Sequence, residues 1–421
     1  VYLWLCPYSR PHIGTLSLFE PQSEAFAINP YKFYADLRQL DEPYFYEGAA
    51  AYLLSRYVDV EGAARNPTLV RSLDAFMDPN YVKAQQRARG WHDMPNHERF
   101  VQFSLLERDG ATHFRLRVIV LRALSRRFIE QQRGMIETYV DRLLDQLLQQ
   151  KEFDFVADLA SHVPGHIIGH LLGVPDKDCP QLRIWSENIV QFFDVGRTQA
   201  HKILAENATT EFYFYLSDLI TERRKKPQED LISSLVAAQD AGEMSESELI
   251  STCMLILAAG HGSTIDVLGS GMHTLVSYPE QMRLLRQEPG HIQMAVQEMF
   301  RFESPLPFFH RYASEALVLN GQHYPKGTKF GLLYGSANRD PDQFHDADAF
   351  DITRNPNRHV AFGRGAHLCL GNHLSRLDME VIFLGILRRT RHIELSDPEP
   401  AYKRSLSVRG PESLRVTLTP K

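Results

Sequence analysis

"HVAFGRGAHLCLGNHLSRLDMEVIF", residues 359–383, places three glycines, two histidines and one cysteine within the eleven positions from Gly363 to His373. After Gly371 the pattern becomes that of an amphipathic helix. A lone cysteine is most often a small buried hydrophobe, and that reading stays open for Cys369. Two features point elsewhere. Glycines permit backbone turns that aim amide hydrogens at a sulfur, and a helix starting near Gly371 directs its positive end the same way. Both favour a thiolate. With no second cysteine and no metal-ligand spacing nearby, such a thiolate suits a haem iron better than zinc or an iron–sulfur cluster.

The chain has 421 residues, 43% hydrophobic and 23% charged, with a formal charge of -6, so it lacks the basic excess that nucleic-acid binding favours. Its four cysteines, Cys6, Cys179, Cys253 and Cys369, are scattered without a C-x-x-C pair. A disulfide framework or a zinc site therefore has little support, and a reducing, cytoplasmic setting is expected. The apolar start "VYLWLC" is stopped by Pro7, far short of the roughly 20 residues that span a bilayer. It reads as a packed strand or a tail, and residues 1–25 as an extension of unknown role.

From residue 26 onward one large domain with two lobes is expected. "PYKFYADLRQL" and "VDVEGAARN" read as helices flanking short strands at "PYFYEG" and "AAYLLSRY". From about 113 to 300 the spacing is almost entirely helical. "ALVLNGQHYPKGTKFGLLYGSANRDP" then reads as short strands, with reversals at Asn320-Gly321 and Lys326-Gly327. The longest helix starts at a capping box, Ser245 and Glu248, and runs to Pro279. At about 30 residues it is roughly 45 Å long, with too many small and polar residues for a membrane span. In its middle, "AAGHGST" (258–264) replaces the leucines that a buried helix normally packs.

"FGRGAHLCLG", Phe362 to Gly371, resembles the haem-binding loop of the cytochrome P450 family, Phe-Gly-x-Gly-x-His-x-Cys-x-Gly, at every fixed position. The resemblance implies the family fold, mostly α with a smaller β-rich lobe, and haem b with Cys369 as its metal ligand. It also implies that Phe362, Gly363, His367 and Gly371 shape the cofactor loop. Glu298 and Arg301, three apart, share a helix face, and an exposed pair of that kind contributes less than about 1 kcal/mol. In the family Glu-x-x-Arg is instead a buried network behind the haem, here completed by Arg354. The resemblance further assigns His113, Arg117, Arg311 and His359 to the two haem propionates. It sets Ala259 and Gly260 of the long helix against the haem.

The family's long helix carries Ala-Gly-x-Glu/Asp-Thr, whereas this chain has Ala259, Gly260, His261, Gly262, Ser263 and Thr264. Gly262 replaces the acid, Ser263 keeps an alcohol at the threonine position, and Thr264 lies about 100° further round the helix. Asp266 is a candidate proton source through water, or a residue facing a polar groove. The implied function is a monooxygenase, an oxidoreductase of secondary metabolism acting on a fairly large apolar small molecule. Electrons would come from a ferredoxin or flavodoxin with its reductase, docked on Arg115, Arg122, Arg126, Arg127 and Arg364. No membrane or nucleic-acid partner is expected. Gly262 leaves an atypical member open, using peroxide or substrate-assisted proton delivery, or oxidising without oxygen insertion. A haem sensor or a catalytically silent helper is the reading outside this class. Phe192, Phe193, Ala258, Leu306, Phe308 and Phe309 are the candidate walls of an apolar pocket, although aromatics at such positions are more often core.

Overall fold

Ser245 and Glu248 cap the long helix reciprocally: the serine Oγ accepts from the Glu248 amide at 3.3 Å, and the glutamate accepts from the Ser245 amide at 2.8 Å. The helix then runs unbroken over Glu246–Ser277, and Pro279 opens the next one. The computed structural model describes residues 19–88, 90 and 92–421. The expected strand or tail at residues 1–6 lies outside them. Although this helix is long and apolar enough to cross a bilayer, most of its apolar stretch is buried in the protein. It is packed by helices Pro95–Phe103, Val163–Leu172, Cys179–Val190, Gln199–Lys225 and Ile292–Phe302, which share one continuous hydrophobic core with it.

Small residues set how closely these helices approach. A Cβ on Gly260 would lie 2.7 Å from Ile168 Cδ1, and one on Gly271 3.0 Å from Met299 Sδ. Among the described residues 59% are helical, well above the roughly one-third usual for globular proteins, and the largest sheet forms a smaller lobe.

That lobe is built on a five-stranded sheet. Its strands are β1 (Tyr44–Tyr46), β2 (Ala51–Leu54), β3 (Leu69–Val70), β5 (Phe308–Ala313) and β8 (Lys329–Leu333), with β4 (Phe153–Asp154) lying elsewhere. The order is β1-β2-β8-β5-β3, with β2 and β8 parallel and Leu53 opposite Gly331. The Asn320-Gly321 reversal joins β6 (Leu317–Leu319) to β7 (Gln322–Tyr324), both turn residues having positive φ. β9 (Thr390–Leu395) and β10 (Arg415–Pro420) form a second sheet with β4.

Two expectations need correction. The strand run stops at Leu333, and Tyr334–Ala337 is a single helical turn. The packed body also begins before residue 26, because Phe19 is buried among the rings of Phe26, Tyr44 and Tyr46.

Candidate active site

The cysteine loop is tied by its own backbone. Gly363 N donates to Val360 O at 2.8 Å and Cys369 N to Phe362 O at 2.9 Å. Gly363 and Gly365 have φ of +70° and +69°, and a Cβ on Gly365 would stand 2.5 Å from Ala64 O, so this turn requires glycine there. Gly371 caps the helix Asn372–Arg389. Of the described cysteines, Cys179 and Cys253 are buried, and burial pushes their thiols up to about 11 and about 12. Cys369, unlike them, is accessible. Burial pushes its thiol up as well, but amide hydrogens of Gly371 and Asn372, with the guanidinium groups of Arg376 and Arg117, pull the other way.

Behind the loop, Phe362 is held between the Phe300 ring, 4.4 Å away, and the Arg376 guanidinium, also at 4.4 Å. The structure brings Glu298, Arg301 and Arg354 together. Arg301 grips the Glu298 carboxylate with two hydrogen bonds of 2.7 Å, both side chains fully buried, and Arg354 Nε adds a third at 3.2 Å. Asn357 and the Asp351 amide donate to the same carboxylate at 2.9 and 3.0 Å. The remaining Arg301 hydrogens go to the carbonyls of Asn338, Ala347 and Ala349.

His359 belongs to this rear packing. Its Nε2 donates to Gln297 Oε1 at 2.9 Å, its Nδ1 accepts from the Ala361 amide at 3.3 Å, and its ring lies parallel to Phe300. Both nitrogens are spent, so the expectation that it meets a propionate is corrected.

The histidine that joins the other three cationic or donor groups is His367. Its ring lies 4.2 Å from that of His113, and its Nε2 donates to Asp109 Oδ1 at 3.0 Å. Burial, opposed by Asp109, lowers His367 to about 4, and burial with Arg117 nearby lowers His113. His113 Nε2 is buried without a hydrogen-bond partner. Arg311 is buried on β5, and Arg117 Nη2 donates to Leu368 O at 2.5 Å. An orphaned imidazole nitrogen beside two guanidinium groups, next to an accessible cysteine, fits a ligand that carries carboxylates and an iron.

The sequence reading missed Asp109 and Arg71. Asp109 also accepts from the Arg71 amide at 2.9 Å, while Arg71 bonds Glu107 and the His310 carbonyl. Asp109 is four residues before His113, the one local signal available.

Through the middle of the central helix one stripe is open: residues 255, 256, 259, 260, 262 and 263 are not fully buried and recur at three-to-four spacing, and Ala259 is exposed. An ideal Cβ on Gly262 meets nothing within 4 Å, and Ser263 Oγ donates to Ala259 O at 3.0 Å. Thr264 is off the stripe: it is buried, with its hydroxyl on Gly260 O at 2.9 Å. A Cβ on Gly260 would point at Ile168. Asp266 is buried and paired with Lys403 at 2.6 Å.

Three expected pocket walls are core. Ala258 is buried, Phe192 packs with Met94 and Ala205, and Phe308 packs in the strand lobe against Gly331. Phe193, Leu306 and Phe309 are half-buried. Of the five arginines expected to form a docking face, Arg115 pairs with Glu248, Arg122 with Glu243, and Arg364 lies 3.7 Å from Glu61. Arg126 and Arg127 have no ion pair among the described residues.

The family model described as Cytochrome P450 matches residues 93–418. The polyketide biosynthesis cytochrome P450 PksS of Bacillus subtilis (strain 168) is 33% identical over 412 residues, covering 96% of this chain and 99% of its own length. The 6-deoxyerythronolide B hydroxylase of Saccharopolyspora erythraea is 30% identical over 406 residues, 94% of this chain and 98% of its own. Among solved structures, P450BioI in complex with an acyl carrier protein ligated to hexadec-9Z-enoic acid superposes with a TM-score of 0.87 at 29% identity, over 94% of this chain and 99% of that one.

Proposed function

The chain belongs to the cytochrome P450 family, a haem b monooxygenase that takes its electrons from a separate redox partner, and on that premise we propose how its own residues divide the work. Cys369 would hold the haem iron. His113, Arg117, Arg311 and His367 would hold the two propionates, and Phe362 with the Glu298–Arg301–Arg354 knot would fix the loop from behind. When bound, the haem supplies the iron at which dioxygen is activated and one oxygen atom is passed to substrate, a chemistry favoured by a thiolate ligand.

Ala259, Gly262 and Ser263 form the opposite wall. Ser263 positions a proton donor, and the space beside Gly262 holds the water that stands in for the family's acid. The observation carrying this reading is the pairing of an accessible Cys369 with the open stripe through the middle of the central helix. The half-buried Phe193, Leu306 and Phe309 suit an apolar substrate, and two of the relatives are named for polyketide chemistry, so a fairly large apolar molecule of secondary metabolism is the substrate class. The partner is a small acidic ferredoxin or flavodoxin with its reductase, meeting Arg126 and Arg127. Residues 26–421, with the packed segment from Phe19, act as one catalytic domain in the cytoplasm.

Screening apolar natural products for the spectral change that follows displacement of iron-bound water will identify ligands. Turnover of a hit with ferredoxin, reductase and ¹⁸O₂ is expected to add one labelled oxygen atom. A product oxidised without label would replace this reading by oxidation without oxygen insertion.

A further inference from the structure

A second constellation lies on the far side of helix Val163–Leu172, independent of the haem reading. "HVPGHIIGH" places His166 and His170 one turn apart on that helix, and "VPDKDC" leads from its end to Cys179. The spacing of cysteines alone does not reveal this group, because it uses only one of them. Gly173, with φ of +79°, ends the helix and turns the chain back, and Cys179 opens helix Cys179–Val190. A Cβ on Gly169 would stand 2.6 Å from Cys179 Sγ, so the missing side chain is what lets the sulfur lie against the first helix. There a His166 ring nitrogen, an Asp176 carboxylate oxygen and the Cys179 sulfur all come within 4.8 Å of one another.

These atoms are unusually uncommitted. The ring nitrogens of His166 and the carboxylate of Asp176 make no hydrogen bond or ion pair among the described residues, and the thiol has only the Pro175 carbonyl at 3.8 Å. The neighbouring Asp178, by contrast, is engaged by the Tyr215 hydroxyl at 2.9 Å. The imidazole is also pre-oriented: it stacks on Tyr139 at 3.7 Å and 8°.

We propose that His166, Asp176 and Cys179 form a zinc-class transition-metal site that clasps the turn between helices Val163–Leu172 and Cys179–Val190. One nitrogen, one sulfur and one oxygen make a borderline-soft donor set, with water or the exposed His170 in the fourth tetrahedral place. Zinc bonds of about 2.0–2.3 Å put ligand atoms about 3.6 Å apart. Closing the group by about 1 Å is within the reach of the exposed Asp176 side chain. Metal binding to Cys179 releases its thiol proton into solvent. Because the clasped helix packs Gly165 on His261 and Ile168 on Gly260, the metal stiffens the rear of the central helix at the level of its open stripe.

Haem-loaded full-length protein, stripped with chelator and titrated with zinc chloride, is expected to bind one equivalent. Its zinc-edge X-ray absorption should contain one sulfur at about 2.3 Å with lighter ligands at about 2.0–2.1 Å. Cys179→Ser should remove the sulfur signal, and His166→Gln should weaken binding at least about 10-fold. Asp176→Asn, on an exposed side chain that makes no hydrogen bond or ion pair among the described residues, should weaken binding without affecting haem content, which keeps the test valid if the other variants fold poorly. Zinc bound by nitrogen and oxygen alone, an unchanged affinity in Asp176→Asn, or no binding at micromolar zinc would each overturn the proposal.

Discussion

Ser263 carries the one hydroxyl on the open stripe of the central helix, and Gly262 beside it supplies no acid. A positioned proton relay contributes at least about 10²-fold, so Ser263→Ala should lower product formed per electron consumed by about that factor, with the loss recovered as peroxide. Because a Cβ at Gly262 meets nothing within 4 Å, Gly262→Glu should fold, load haem and release less peroxide per electron than wild type. Unchanged peroxide in both variants would remove the relay from this helix. Asp378 permits a separate test in pH. It is buried with Oδ1 unpartnered, and burial raises its pKa well above the ordinary carboxylate range. Between the unfolded and folded values the native state holds one proton more than the unfolded chain. Stability is therefore lost as pH rises, at about 1.4 kcal/mol per unit for this group. Asp378→Asn abolishes that slope, so its advantage in urea midpoint over wild type should be larger at pH 7 than at pH 5; a pH-independent difference would contradict the assignment. At this scale the sequence was legible where chemistry is rare, as at Cys369, and misleading where two residues look alike. His359 and His367 flank the same loop, and only its path shows that one is spent on Gln297 while the other stands beside His113. Thr264 differs from Ser263 by one step of helix rotation, enough to bury its hydroxyl.

Elements were legible where their ends are local. The capping box at Ser245, the stop at Pro279 and the reversal at Asn320-Gly321 each need only a few neighbouring residues, and each is where the pattern puts it. The face an element turns toward its neighbours is not local information: Gly260 is read by Ile168 and Asp266 by Lys403, both remote in sequence. The Glu298–Arg301 pair shows the same limit in energy. Three-residue spacing predicts only a helix-face contact, whereas the structure buries both ions completely and adds Arg354, Asn357 and the Asp351 amide. Truncating one partner of such a pair costs about 3–5 kcal/mol. Glu298→Ala should accordingly lower the melting temperature and the haem content of purified protein, with turnover per haem much less affected. Fully loaded, normally stable Glu298→Ala protein with a slow catalytic step would show that the knot acts on chemistry instead.

Across the whole molecule, the division into a helical body and a strand lobe followed from periodicity, but the way the lobe closes did not. β2 and β8 pair in parallel although most of the chain lies between them, and Phe19 joins the lobe from a segment that reads as an extension. Long-range pairing of this kind leaves no mark on local sequence. The cofactor loop, by contrast, concentrates its requirements in ten consecutive positions, and the account of the molecule turns on the thiolate it presents. The most direct test is the carbon monoxide spectrum of the reduced protein. The account predicts the red-shifted absorption of a thiolate-ligated ferrous haem in wild type and in Cys253→Ala, and its loss in Cys369→Ser. Retention of that absorption in Cys369→Ser, or its loss in Cys253→Ala, would contradict the account.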